Sequence, residues 1–268
     1  MSSRERKPSA DRRTRLSYAD IQPVLARLGD LTEDIILVGG QAVSFWVDFY
    51  SGRDPTLAKL VPLASKDIDF CGDVRAVRIC AERLAGRPRL PSMDDHTPNT
   101  GVVTFVDAHG VERTIDFIDQ PHGLRAKDVH RTALPIRVLD HAGKPTEVSF
   151  RVMHPVHVME SRVHNCVGLP GYRTDHALKQ LRASIVCARE FIRDMLASDR
   201  TRVALRLNER IFTFCLLDRD GREVHAKLDV DPFEAVVADE EHLPARFRET
   251  RYPQMRRELE ARRERRRR

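Results

Sequence analysis

The feature that most constrains this fold is a short apolar run that ends in two consecutive glycines. Residues 35–38 read Ile-Ile-Leu-Val, and Gly39 and Gly40 follow directly. A short apolar run bounded by glycine is consistent with a buried strand, and the residues from about Gln41 to Tyr50 read as a helix. The first N–H groups of a helix have no partner within it. The pattern therefore predicts a strand–turn–helix unit whose turn can bind a phosphate without a side chain.

A second segment places two carboxylates on one face of a predicted strand. Asp67 and Asp69 alternate with Ile68 and Phe70, and side chains at i and i+2 of a strand share a face. Two carboxylates crowded there repel each other unless a cation lies between them. Oxygen ligands beside a phosphate suit Mg²⁺ best. The two segments together predict a metal-dependent phosphoryl or nucleotidyl transfer site.

A third carboxylate is expected on a hairpin strand. A site with two metal ions needs a further acid to bind the second ion or to take a proton from the nucleophile. Segments 101–106 and 111–118 read as a β-hairpin, joined by a turn that contains glycine. Asp116 lies within its second strand and Asp119 lies at the end. We favour Asp116, because its neighbours are apolar and Asp119 fits a turn equally well.

Other segments supply the elements around these motifs. Ser17 and Asp20 have the spacing of a helix cap, Asp73 can cap a helix, and Pro155 suits the first position of another. The predicted helices are 17–28, 41–50, 73–85, 155–166 and 174–197, the further strands are 34–38, 66–71, 134–139 and 148–152, and a loop covers 51–65.

The order of these elements predicts an α+β fold. A small mixed β-sheet flanked by helices comes first, and an all-helical C-terminal region follows. Hairpins and mixed strand direction argue against a doubly wound dinucleotide fold. The predicted units are a polar basic arm over 1–15, the sheet-containing domain over 16–152, a helical domain over 153–243 and a basic charged helix or tail over 244–268.

Composition narrows the environment and the partners. The 46 basic and 40 acidic residues give a net charge of +6, and much of the excess lies near the two ends. Those ends fit solvated tails, and they also fit contact with nucleic acid or an acidic partner. The five scattered cysteines form no C-x-x-C pair, which argues against a zinc site or a disulfide scaffold. With no long apolar run, we expect no membrane span and a cytoplasmic location.

The set of Gly39-Gly40, Asp67-x-Asp69 and Asp116 resembles the nucleotidyltransferase superfamily of DNA polymerase β type. Within it, the chain resembles bacterial abortive-infection and toxin–antitoxin nucleotidyltransferases, over roughly residues 30–180. The resemblance implies that the sheet-containing domain is catalytic, that the three aspartates hold Mg²⁺ (or Mn²⁺), and that an NTP such as ATP lays its phosphates over the glycines. Asp116 would also help to deprotonate the attacking group.

The resemblance extends to three further positions. Lys66 and Arg162 would join the glycines in binding the nucleotide, with Arg162 at the place where relatives often carry a lysine. Asp175 would orient Arg162, or it would cap its own helix. In one departure, Gln41 follows the glycines where many members have serine, so a hydroxyl contact to phosphate is missing. The stretch between glycines and aspartates is also longer than in minimal members.

The expected activity is transfer of a nucleoside monophosphate to an acceptor hydroxyl, with pyrophosphate leaving. The acceptor would be an RNA or tRNA 3′ end, a protein or an antibiotic, and the resemblance alone suggests a toxin with a cognate antitoxin. One alternative is a D-x-D glycosyltransferase, although such enzymes place a longer nucleotide-binding unit ahead of the motif and only 66 residues precede Asp67. Another is an inactive module of the same fold that binds nucleic acid.

Overall fold

The computed structural model describes residues 15–92, 99–139 and 145–267. It has a mixed sheet and a helical C-terminal region, so the predicted α+β class is confirmed. The predicted arm over residues 1–15, except Arg15, lies outside the described residues, as do residues 93–98, 140–144 and 268. Within the described residues, no helix has the length and apolar character needed to cross a membrane.

The sheet has seven strands and mixed direction. The spatial order is β3-β4-β5-β2-β1-β7-β6. β2 runs parallel to β5 and β1 runs parallel to β7, whereas the other neighbouring pairs are antiparallel. The strands are β1 (Ile36–Leu37), β2 (Ile68–Cys71), β3 (Arg87–Arg89), β4 (Asn99–Val106), β5 (Glu112–Ile118), β6 (Leu134–Leu139) and β7 (Pro145–Val152).

Helices flank this sheet and then make up most of the C-terminal region. Short 3₁₀ segments lie at Pro170–Tyr172 and Pro232–Ala235, and a π-helical turn covers Phe247–Arg251. The α-helices are α1 (Tyr18–Leu28), α2 (Leu31–Asp34), α3 (Gly39–Tyr50), α4 (Pro55–Ala58), α5 (Val74–Arg83), α6 (Ala126–Thr132), α7 (Pro155–Gly168), α8 (Asp175–Ala197), α9 (Thr201–Leu217), α10 (Arg219–Leu228) and α11 (Tyr252–Arg267).

Two helix caps expected from the sequence are present. The Ser17 N–H donates to the carboxylate of Asp20 over 2.7 Å, and the Asp20 N–H donates to the Ser17 hydroxyl, which completes the capping box at α1. The Asp73 carboxylate accepts from the Ala76 N–H over 2.8 Å and begins α5. Because these bonds satisfy N–H groups that a helix start leaves unpaired, they fix where both helices begin.

α3 joins the sheet to the helical region. It follows β1 directly and packs against α7 and α8. The Trp46 indole N–H donates to the Met153 carbonyl over 2.9 Å, across the expected boundary at residue 152. Buried apolar side chains form one continuous core from Leu16 to Leu259. The helical region therefore packs directly behind the helix that the glycine pair begins.

Several boundaries differ from the sequence-based expectation. The strand expected over 66–71 begins at Ile68, because Ser65 pairs with Leu16 instead. The helix expected from Gln41 begins at Gly39. The loop expected over 51–65 contains α4, where the Asp54 carboxylate accepts from the Thr56 N–H over 2.7 Å and begins a short helix. β3 and α6 were not predicted.

The basic C-terminal segment is packed and not simply a solvated tail. The charged helix expected from about residue 244 is the π-helical turn at Phe247–Arg251 followed by α11. Met255 and Leu259 of α11 are buried. The Arg263 guanidinium donates to both oxygens of Asp231, over 2.9 and 2.6 Å. Apolar burial and this ion pair hold α11 against the other C-terminal helices.

Candidate active site

Asp69 and Asp116 face each other on adjacent strands. β2 and β5 run parallel, and their register places Asp69 directly beside Asp116. Neighbouring strands are about 4.8 Å apart, so the two carboxylates lie on the same face at close range. Ile68 and Phe70 on β2 are buried on the opposite face. The alternation of acid and apolar residues in the sequence has therefore produced the expected acidic face.

Asp67 adds a third negative charge from just outside the strand. The pKa of Asp69 is raised to about 6, mainly by burial; Arg162 opposes the rise, and the negative charges of Asp116 and Asp67 contribute to it. Burial also raises the pKa of Asp116, again with a contribution from Asp67. The three carboxylates thus interact electrostatically, and their mutual repulsion favours a cation between them.

The glycine pair lies directly against this acidic face. Gly39 has a φ of 62°, in the left-handed region, and a Cβ added there would lie 1.9 Å from Asp69 Oδ2. The Gly40 N–H donates to the Asp69 carboxylate, and the Val38 N–H donates to the Asp69 carbonyl over 3.0 Å. The structure therefore brings the two motifs together, and only glycine fits at position 39.

The first turn of α3 carries the N–H groups expected to bind phosphate. A helix of this length has a positive N-terminus with unpaired N–H groups. One of them, on Gly40, already bonds to Asp69. A Cβ at Gly40 would lie 2.3 Å from Ser65 Oγ and 2.9 Å from Gln180 Nε2. The turn is thus enclosed by Asp69, Ser65 and Gln180.

Arg162 is a buried positive charge within the same cluster. It lies on α7 and is 8% exposed. Its Nη1 donates to Gln180 Oε1 over 3.2 Å, while its Nε has no hydrogen-bond partner among the described residues. Burial lowers the pKa of Arg162, and the charge of Asp69 opposes that fall. Arg162 therefore partly compensates the acidic face, and it keeps one donor unused.

Two other predicted positions contribute less. Asp175 is exposed in the first turn of α8, and the cap of that helix is Thr174, whose hydroxyl accepts from the Ala177 N–H over 3.2 Å. The expectation that Asp175 caps the helix is therefore wrong, because the residue before it already does so. The α8 side chain that bonds to Arg162 is Gln180. Lys66 is exposed beside Asp67, at the rim of the site.

Sequence reasoning missed Gln180 and a set of cations around it. Gln180 lies on the buried face of α8, and a polar residue on such a face was the available signal. On the same helix, burial lowers the pKa of His176, with contributions from the positive charges of Arg15, Lys179 and Arg162. The site therefore has an acidic side on the sheet and a basic side on α7 and α8.

Gln41, which stands where many nucleotidyltransferases have serine, has a structural role. Its side chain is fully buried, and its Nε2 donates to the Leu16 carbonyl over 3.0 Å. Leu16 in turn pairs with Ser65 through both backbone bonds. Gln41 therefore positions the segment that carries Ser65, whose hydroxyl lies close to Gly40.

The donor set fits Mg²⁺ in the form that this ion takes beside a phosphate. Among the described residues, no group of three or more His, Cys, Asp or Glu side chains is arranged to hold a metal ion. Mg²⁺ is commonly held by one or two carboxylates, with water and substrate phosphates completing the shell. The adjacent Asp69 and Asp116 meet that requirement, and the nearby helix start can bind the phosphate.

Comparisons with known proteins do not assign a family. No protein-family model matches the chain, and no curated protein matches it. Among solved structures, the chain is similar to the crystal structure of JHP933 from Helicobacter pylori, with a TM-score of 0.32 and 12% identity over 82% of this chain and 85% of that chain. At that level the similarity carries no conclusion about fold or function.

Proposed function

We propose that this chain is a Mg²⁺-dependent nucleotidyltransferase that transfers a nucleoside monophosphate from an NTP to an acceptor hydroxyl. The observation that carries the proposal is the pairing of Asp69 with Asp116 directly against Gly39 and Gly40. A phosphate on the helix start would thus lie beside two carboxylates. That combination suits transfer of a phosphoryl-containing group, in which catalysis depends mainly on positioning and charge.

The three aspartates have different roles in this proposal. Asp69 and Asp116 would hold Mg²⁺, or Mn²⁺, with Asp67 at the edge of the site. When bound, the ion neutralises phosphate charge and lowers the pKa of the acceptor hydroxyl. The resemblance also assigns to Asp116 the removal of the proton from the acceptor hydroxyl, and burial raises the pKa of this carboxyl.

Arg162 and Gln180 prepare the site for a polyanion. The positive charge of Arg162 reduces the repulsion that a triphosphate would meet near three carboxylates. The hydrogen bond from Arg162 to Gln180 fixes the guanidinium in the cluster. Two side chains expected to bind the phosphates have donors for them. They are Arg162, whose Nε has no hydrogen-bond partner among the described residues, and Lys66, which is exposed.

The family resemblance suggests the acceptor and the biological role. An RNA or tRNA 3′ end or a protein hydroxyl would receive the nucleotide, and a toxin role would imply a cognate antitoxin. The glycosyltransferase alternative requires a sugar nucleotide at the same aspartates. The inactive-module alternative requires nucleic-acid binding that does not depend on them.

Incubation of the purified protein with each NTP labelled at the α-phosphate, Mg²⁺, and total RNA or protein extract tests the proposal. We expect label transfer that is abolished by Asp69→Asn and by Asp116→Asn. Asp119→Asn is the matched control, since Asp119 is exposed beyond β5 and belongs to a different cavity. No transfer and no NTP binding with Mg²⁺ or Mn²⁺ would reject the proposal. Transfer from a labelled sugar nucleotide would support the glycosyltransferase instead.

A further inference from the structure

A basic groove lies between α10 and α11, in the helical region. It consists of a cavity of about 450 Å³ and an adjoining one of about 320 Å³. Arg222 and Arg262 line both cavities, so the two form one groove. Arg219 extends the wall on α10, and Arg265 extends the wall on α11. We call this set of four arginines and the space between them the arginine groove.

The four arginines are not neutralised by carboxylates. None of them forms an ion pair with another described residue. The Nε of Arg222 donates to the Asp218 carbonyl over 3.1 Å, and the Nε of Arg265 donates to the Ala261 carbonyl over 3.3 Å. Both acceptors are uncharged, so the groove keeps its positive charge. By contrast, Arg263 at the edge of the groove is paired with Asp231.

Acidic residues remove only part of that charge. Glu223 in the wall pairs with Lys227 over 2.7 Å. Glu258 is the acid that lines the smaller cavity. The groove therefore has a net positive charge that a bound anion can compensate.

The arginines are spaced as two facing rows. Arg219 and Arg222 are three residues apart on α10, and Arg262 and Arg265 are three apart on α11. Residues at this spacing lie on the same face, about 5–6 Å apart. Each guanidinium can donate two parallel hydrogen bonds to phosphate oxygens. Two such rows suit an anion that repeats its charge at regular intervals.

The surface chemistry favours a nucleic acid over an acidic protein. Protein interfaces depend on aromatic or apolar anchors at a centre depleted of charge. Here the larger apolar residues that line the groove, Cys215, Leu216 and Leu259, are buried in its floor, and the exposed apolar contribution is the methyl group of Ala226. Among the described lining residues there is no Phe, Tyr or Trp, and the ring present is the polar imidazole of His225. Interfaces with nucleic acid are more polar and more positively charged. We propose that the arginine groove binds the phosphate backbone of a nucleic-acid strand.

This binding requires neither a divalent ion nor a nucleotide, so it is separable from the proposed transfer reaction. The test measures fluorescence anisotropy of a short labelled single-stranded RNA with the full chain, without metal or NTP, over a range of salt concentrations. The variant Arg219→Glu/Arg262→Glu changes one residue in each row, and neither side chain has a hydrogen-bond partner among the described residues. The matched control is Arg75→Glu/Arg78→Glu, an exposed pair of arginines on α5 that undergoes the same total charge change.

We expect the groove variant to lose at least tenfold in RNA affinity while the α5 control stays within twofold of the wild type. The slope of log affinity against log salt should fall by about 1.4 in magnitude, because each phosphate contact of a single strand contributes about 0.7. Arg219→Gln/Arg262→Gln should lose less, and thermal unfolding checks that all variants fold. Asp69→Asn should bind RNA normally.

Three results would overturn the assignment. The first is the absence of RNA binding by the wild type at low salt. The second is an equal loss in the α5 control, which would show that overall charge and not the groove attracts RNA. The third is tighter binding of a polyglutamate peptide than of RNA, which would identify the partner as an acidic protein segment.

Discussion

Replacement of Gly39 by alanine separates the role of the glycine in folding from its role at the acidic face. The variant has two costs. Alanine at a φ of 62° is strained by about 1–2 kcal/mol. Its Cβ would also lie 1.9 Å from Asp69 Oδ2 and 2.6 Å from Asp69 Cγ, so the carboxylate must move and its bond from the Gly40 N–H must be distorted.

Two other glycines isolate these costs. Gly110 also has a positive φ, 75°, but a Cβ there meets nothing within 4 Å. Gly110→Ala should therefore lose only the strain, about 1–2 kcal/mol. At Gly52 a Cβ would meet nothing within 4 Å, and the backbone φ is not positive. Gly52→Ala should therefore change the unfolding free energy by no more than about 0.5 kcal/mol. Gly39→Ala should lose the strain and up to about 3 kcal/mol more from a disturbed hydrogen bond to a charged group.

Urea denaturation followed by circular dichroism measures the stability of each variant, and label transfer from NTP measures activity. A displacement of about 1 Å in a reacting group can cost about 100-fold in rate, so Gly39→Ala should lose activity by at least about that factor. Gly110→Ala and Gly52→Ala should retain it. If Gly39→Ala is no less stable than Gly110→Ala and remains active, then Asp69 does not lie against Gly39 and the proposed site is wrong.

Three further predictions concern polar side chains that are buried or partly buried. Gln180→Leu removes the partner of Arg162, so urea denaturation should show a loss of about 1–3 kcal/mol, and Asn at the same position should not restore it. Burial and Arg210 lower the pKa of His157 to about 4, below the unfolded value of about 6.5. Stability should therefore decrease as pH falls from about 6.5 to 4, and His157→Gln should reduce this decrease by about 3 kcal/mol, measured as unfolding free energy against pH. Arg263→Ala breaks the ion pair with Asp231 and should make α11 more sensitive to limited proteolysis, whereas Arg257→Ala, an exposed control, should not.

Sequence patterns predicted the acidic face because its signal is local. The alternation of Asp67 and Asp69 with apolar residues determines which side of a strand each occupies, whatever the strand pairs with. The capping side chains of Ser17 and Asp73 act within three residues, so they too were readable. A local pattern cannot predict that β2 lies parallel to β5 with Asp69 beside Asp116. The register of these two strands depends on the whole sheet.

The parts that sequence reasoning missed depend on contacts between distant segments. The residues of β3 are all exposed, so the sequence shows no alternation of apolar and polar residues there. This strand exists because its backbone pairs with β4. Nothing in the sequence around Gln180 indicates its partner. Its contact with Arg162 arises only because α8 packs against α7. Asp175 is expected beside Arg162 only from the family resemblance, in which an aspartate lies on the following helix, whereas the structure leaves it exposed in the first turn of α8.

The distribution of charge connects the two proposed sites. The acidic face has three carboxylates and one buried arginine, so it needs added positive charge before an anion can bind there. The four arginines of the arginine groove form no ion pair with a described residue, so the groove needs no such ion. A polyanion can therefore bind the helical region first, whatever the state of the acidic face. The net charge of +6 conceals this separation, because the opposite charges of the two regions partly cancel in the total.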